Sequence, residues 1–438
     1  MRFVGAPPRG QLASGFRIAG QFGASLGDVA RPLGDQQFRW LWLATFAWNF
    51  ARWMEMTVTS WVALELTGSP WLVALAGVCR NAFLPVAGPV TGALSDRIDR
   101  VKLIKLAQWG NVLVIGAVAL ALGTGHGAYW QIILSSLWLG ASWGIDWPSR
   151  RALVADMVGP ERVLQAVVLD NVTQNISRVL GPLLGGFLLA AWGGPGAFSA
   201  LAVAFFVASL TMIPVASAAR KVLQAGQSMW RELAAGLEYA RADRVIWAVL
   251  VITVLMNLLL FPYHGLLSVF AEQVLHVGPV GLGYMGAANG IGASLGLFLL
   301  SPLKKAQWQA RAFAVGSCVG CVALAFFSGS QWFQFSLIML LVSGIGTSAF
   351  GTMQSTIILS RTDPAMRGRV MGLLACAIGS APVGALQMGL LIEAVGAPLA
   401  VGLNCLVCGV LVALIATRAN LFAGGRRAAP PVYTVASA

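Results

Sequence analysis

Charge is scarce in this chain. Lys, Arg, Asp and Glu make up 10% of its 438 residues, against about 25% in an ordinary soluble domain. So few charged groups cannot cover the surface of a water-soluble protein, which excludes a soluble globular class. Histidine is scarcer still: His126, His264 and His276 are scattered, so no H-E-x-x-H metal site and no nucleophile–base arrangement can be assembled. The six cysteines sit in apolar runs without His or acidic neighbours, and so read as apolar packing rather than metal or redox centres. No G-x-x-x-x-G-K-[ST] loop occurs, and the one long polar stretch inside the chain, 219–244, is too short to be an ATPase. These absences argue against an enzyme, a cofactor, a metal and a nucleotide partner.

What is present is hydrophobic: 58% of residues. Runs of roughly 20 apolar residues match a bilayer-spanning helix, and their continuity distinguishes them from the alternating strands of a barrel. They fall at 38–66, 71–94, 103–123, 127–148, 163–192 and 196–216, then at 245–273, 280–303, 311–328, 331–357, 368–394 and 398–417. The expected fold is therefore an all-α membrane protein with twelve transmembrane helices in two pseudo-symmetric six-helix bundles. Its domains are an N-terminal tail (1–36), a first bundle (37–217), a linker (218–244), a second bundle (245–418) and a C-terminal tail (419–438). Residues 1–36 lack an apolar central stretch and do not read as a cleaved secretory signal.

Orientation follows from Lys and Arg in the loops. Placing both termini in the cytoplasm assigns 26 of the 29 basic residues to the cytoplasmic side and none to external turns such as 67–70, 193–197, 274–279 and 395–397. The formal charge of +13 then reflects the anionic inner leaflet rather than nucleic acid. The three remaining cations, Arg52, Arg80 and Arg178, lie near the centres of the first, second and fifth spans.

The halves repeat at an offset of a little over 200 residues: "GALSDRIDRVKLI" (92–104) against "SPLKKAQWQARAF" (301–313), and "MVGPERVLQA" (157–166) against "RTDPAMRGRV" (361–370). Such repeats suggest a transporter with its site at the midplane between the halves. At these residues the chain resembles the major facilitator superfamily, whose loop between helices 2 and 3 follows G-x-L-x-D-R-x-G-R. Gly92, Leu94, Asp96, Arg97 and Arg100 match it, and Asp99 replaces the usual second glycine. "GPLLGG", with Gly181, Pro182, Gly185 and Gly186, resembles the end of the family's helix-5 antiporter motif, without its upstream glycines. "DPAMRGRVMG" (363–372) resembles the siderophore and drug exporter branch. The resemblance implies a cytoplasmic latch through Asp96 and Arg100, with Asp96 meeting the start of helix 11. It also implies a monomer in the cytoplasmic (inner) membrane of a bacterium.

The spans carry polar faces. On helix 5, Asp170, Asn171, Gln174, Asn175 and Arg178 share about 140° of one helical wheel, and lipid would not tolerate charges there. Asp170 and Arg178 lie about 12 Å apart along the axis, too far for a direct pair. Helix 1 gathers Asn49, Arg52, Glu55 and Thr59, with Arg52 and Glu55 spaced to pair at i, i+3. Helix 2 adds Arg80, and helix 4 ends with Asp146. The second half offers neutral groups: Asn257 and His264 on helix 7, Asn289, Gln354 and Gln387.

Central charge handling is thus expected in the first half, through Arg52, Glu55, Arg80, Asp146, Asp170 and Arg178. Asn49, Asn171, Asn175, Asn257, His264, Asn289 and Gln354 would line a substrate cavity. Glu55 and Asp170 are the candidate proton carriers; static ion pairs and recognition of substrate charge are the alternatives. His264 is either a proton relay or a hydrogen-bonding group of the bundle. The expected function is secondary active transport of a small amphipathic molecule, with protons as the coupling ion and efflux as the direction. Import or uniport of a polar metabolite, lysophospholipid transport and a non-transporting receptor are the competing readings.

Overall fold

The computed structural model describes residues 31–83, 98–159, 162–216, 229–303 and 305–424. Among these residues every regular element is helical. α1 spans Gln36–Thr67; Asp35 caps its N-terminus by accepting from the amides of Gln37 and Phe38, and Gly68 ends it in the left-handed conformation. α2 is Pro70–Asn81, with Ser69 as N-cap. α3 is Arg100–Gly123, capped by Asp99, and α4 is Tyr129–Val158. The stretch Val163–Met212 is helical apart from one break at Gly193, where φ is +64°. A straight helix of that length would run roughly 75 Å, more than twice the hydrocarbon thickness. The Gly-Pro break resolves this by dividing it into α5 (163–192) and α6 (194–212).

A short helix, α7 (Met229–Ala242), lies in the polar stretch between the halves. There follow α8 (Arg244–Val274), α9 (Gly278–Leu300), α10 (Ala306–Ser328), α11 (Phe333–Arg361), α12 (Arg367–Val395) and α13 (Ala397–Arg418). Eight helical stretches among the described residues are long and apolar enough to cross a membrane. The exterior agrees with a lipid surround: Leu113 is 72% exposed, Phe298 77% and Leu399 68%, which water would not favour.

Among the described residues, α8 and α12 are also interrupted within their length. α8 relaxes into a π-turn at Met256–Leu260 and a 3₁₀ turn at Phe261–Leu266. Pro262 cannot donate to the ladder, which accounts for the departure. α12 pauses between Ile378 and Ala381, at Gly379 and Ser380. Gly384 of α12 packs against the opened turn of α8: a Cβ there would lie 2.5 Å from the Leu258 carbonyl and 2.6 Å from that of Asn257.

The two halves meet along a glycine seam between α5 and α9. A Cβ at Gly186 would sit 2.4 Å from the Pro279 carbonyl, one at Gly283 2.9 Å from that of Pro182, and one at Gly290 2.9 Å from that of Arg178. Farther along α9, toward the basic loops, Gly292 and Gly296 instead meet α11 at Leu341 and Ile345. α2 and α12 form the corresponding contact on the other side, where Gly389 admits the ring of Trp71. Both contacts lie toward the loops that lack Lys and Arg.

Candidate site between the halves

Two adjoining cavities lie between the halves. The larger, ≈ 210 Å³, is walled by α1, α2, α8 and α12, with Arg80, Phe261, His264 and Met388 among its lining residues. The smaller, ≈ 40 Å³, is walled by α1, α5, α8 and α9, and Trp53, Arg178, His264 and Asn289 reach it. Met56, Ser60 and His264 belong to both. The discontinuity of α8 places His264 between them. Broken helices that line a cavity are where a membrane protein can present polar groups without exposing backbone to lipid.

The charges sort into three sets. In the first, Glu55 is fully buried, pairs with Arg80 across the α1–α2 gap and accepts from Thr59 Oγ1 at 2.8 Å. Glu55 therefore engages Arg80 rather than its i, i+3 neighbour Arg52. Arg52 instead stacks on tryptophan, its guanidinium carbon 4.1 Å from the Trp143 ring centroid and 5.8 Å from that of Trp48. Its Nε is buried without a hydrogen-bond partner among the described residues. Cation–π stacking of this kind partly replaces lost hydration.

The second set gives Asp146, an expected central charge, a partner that was not expected. Arg150 lies inside α4, 5% exposed, and forks onto the fully buried Asp146 with two bonds of 2.9 Å. It also donates to Thr45 Oγ1 of α1 at 3.0 Å. Gln108 of α3, with its amide turned to suit both neighbours, accepts from Arg150 Nη2 at 2.7 Å. Arg150 looks in sequence like one more cytoplasmic loop cation. The signal that could have found it is its i, i+4 spacing from Asp146.

The third set spans the halves. Arg178 of α5 donates to Asn289 Oδ1 of α9 at 2.7 Å, and Asn289 donates to the buried Tyr263 hydroxyl at 2.9 Å. The Arg178 guanidinium also faces Trp53 at 5.3 Å. Tyr263 carries no signal in the sequence beyond its adjacency to His264.

Other expected site residues lie apart from the cavities. Asn257 is buried and donates to the Thr253 carbonyl, while Gln354 accepts from Thr253 Oγ1. Asn49 is buried in α1, 3% exposed. Asn171 is exposed, and Asn175 donates to its carbonyl. Asp170 is half-buried, with no side-chain hydrogen bond or ion pair among the described residues. Gly181 and Gly185 face α1, where a Cβ would meet Trp53 or Met54, whereas Pro182 and Gly186 face α9. The "GPLLGG" run thus serves two helix contacts at once. Gly92, Asp96 and Arg97 lie outside the described residues. Arg100 begins α3 and pairs with Asp156 at 2.8 Å, an exposed pair of small energetic weight.

A family model for a transmembrane secretion effector matches residues 28–429, nearly the whole chain. The chain belongs to this family of major facilitator transporters. Among the relatives of the chain is the enterobactin exporter EntS of Shigella boydii, 25% identical over 379 residues, which cover 84% of the chain and 88% of EntS. Two solved structures share the fold. One is a bacterial homologue of the human lysosomal transporter Spinster in an inward-facing, unoccupied conformation, with TM-score 0.71, 14% identity, and 92% and 100% coverage. The other is a variant of the nucleoside transporter NupG, with TM-score 0.72, 12% identity, and 87% and 99% coverage. The chain is therefore a multi-pass protein of the bacterial inner membrane, and a transporter rather than an enzyme.

Proposed function

We propose that this protein is a secondary active exporter of a small amphipathic molecule, coupled to protons and working by alternating access. In this reading twelve spans form two six-helix bundles, both termini are cytoplasmic, and the monomer is the transporting unit without nucleotide or nucleic acid. The observation that carries the reading is the central cavity shared by both halves, with glycine-lined contacts on its charge-poor side. With the basic loops in the cytoplasm, those contacts correspond to a closed external gate. The relationship to an enterobactin exporter supports the outward direction.

Coupling requires a charge that changes inside the cavity wall. Glu55 is the first candidate: a proton on its carboxylate would break the pair with Arg80, whose guanidinium lines the larger cavity. Arg80 of α2, Arg52 of α1 and Asp146 of α4 are the charged groups around it. Asp170, lacking a partner among the described residues, is the second.

The test is flux in proteoliposomes whose protein has its basic loops outward and whose lumen is acidified. An acid lumen should drive accumulation of substrate inside, because protons leave as substrate enters. Glu55→Gln is expected to reduce gradient-driven accumulation to the level of empty liposomes while exchange of substrate at equal pH survives. If Glu55→Gln and Asp170→Asn both keep gradient-driven accumulation, proton coupling through these carboxylates is wrong.

A further inference from the structure

We infer that the cavity takes an amphipathic organic anion, with its charged group bound at Arg178 and His264 and its apolar body in the larger cavity. This rests on the transport reading above and names the class of solute.

Among the described residues the cavity walls hold two guanidinium groups and an imidazole, and no Asp or Glu. Arg80 is neutralised by Glu55. Arg178 is not: its one hydrogen-bond acceptor is the neutral Asn289 amide, and no carboxylate lies within ion-pair distance among the described residues. A guanidinium offers five N–H donors and stays protonated in proteins. Most of the Arg178 donors are therefore unspent at a place where water is limited and an uncompensated cation is costly. Its direction is fixed, because Asn289 is itself held by Tyr263 and by the Leu340 carbonyl. His264 meets Phe261 and Tyr263 through ring contacts and makes no hydrogen bond among the described residues, so its ring nitrogens are available too.

The smaller cavity, ≈ 40 Å³, suits a carboxylate-sized group. The larger is mainly apolar, with Met56, Phe261 and Met388 on its walls, and suits an aromatic or aliphatic body. A cation of the same shape would face Arg178 without a compensating acid. An anion bound at Arg178 leaves the Glu55–Arg80 pair intact. Its export is also favoured by an inside-negative membrane potential.

The experiment uses the purified full chain in detergent and three ligands of one shape: 2-naphthoate, 2-naphthylmethylammonium and 2-naphthylmethanol. Ligand-dependent rise in the thermal unfolding midpoint reads binding. 2-Naphthoate should stabilise the protein more strongly than the alcohol, and the cation should not stabilise it. Arg178→Gln should weaken 2-naphthoate by about 10- to 100-fold, the range for losing a charge-assisted hydrogen bond. The alcohol should lose much less, so that a loss selective for the anion reports the charge rather than a damaged cavity, and Arg178→Lys should fall between. The inference is overturned if the cation binds as well as the anion, if no ligand binds, or if Arg178→Gln binds 2-naphthoate like the wild type. Flux separates the two readings. An anion that binds without crossing the liposome contradicts transport and leaves the anion site standing; gradient-driven uptake of the cation does the reverse.

Discussion

Arg150→Met is expected to destabilise the protein by about 3–5 kcal/mol, the range for removing one member of a buried ion pair. Asp146 is fully buried and its two oxygens are both occupied by Arg150. Methionine would leave that carboxylate inside the bundle with its principal partner gone. The same change removes the bond to Thr45, which ties α4 to α1. The loss should appear as a lower thermal midpoint in detergent. Asp146→Asn combined with Arg150→Met should recover most of it, because the cost comes from the orphaned charge rather than from the lost attraction. A double variant as unstable as the single one would show that the arginine contributes through packing alone.

Gly186→Val is expected to bring flux down to background. The hydrogen at Gly186 is what allows α5 to lie against the Pro279 carbonyl, since even a Cβ would approach it to 2.4 Å and the Gly283 Cα to 3.0 Å. These neighbours are backbone atoms and cannot rotate away, so a branched side chain must push the helices apart. In lipid, where association relies on close packing of small residues, that separation should hold the charge-poor side open and stall the cycle. The control is Gly116→Ala in α3, where a Cβ meets nothing within 4 Å; flux there should match the wild type.

Much of the helix pattern was legible because lipid imposes a simple requirement. Apolar runs of bilayer length marked the helices, and "GGPG" at 193–196 marked the break between α5 and α6, where the structure has a left-handed glycine. The α4 boundary was misplaced: the helix passes through Pro148 and continues to Val158, ten residues beyond the expected end. The expected linker at 218–244 contains the helix α7.

The charge pairing was less legible, because it depends on contacts between helices. Glu55 and Arg80 are 25 residues apart, and nothing local says that α2 brings an arginine to Glu55 while Arg52 turns toward Trp143. Arg150 was hidden by its surroundings. Next to Arg151 and before a loop, it looks like positive-inside decoration, although its depth in the bundle makes it a partner of Asp146. Arg178 and Asn289 were each recognisable as buried polar groups, but their pairing appears only once the glycine seam has brought α5 against α9.

Alternating access requires the two halves to rock around the cavity. The most direct measurement is a pair of spin-label distances in a cysteine-free background. One pair, at Leu66 and Gln273, reports the charge-poor end; the other, at Arg162 and Ala365, reports the basic end. Alternating access predicts reciprocal changes: as pH or bound solute shifts the population, the first distance lengthens while the second shortens. Distances that stay fixed at every pH and with every ligand, at both ends, would contradict alternating access.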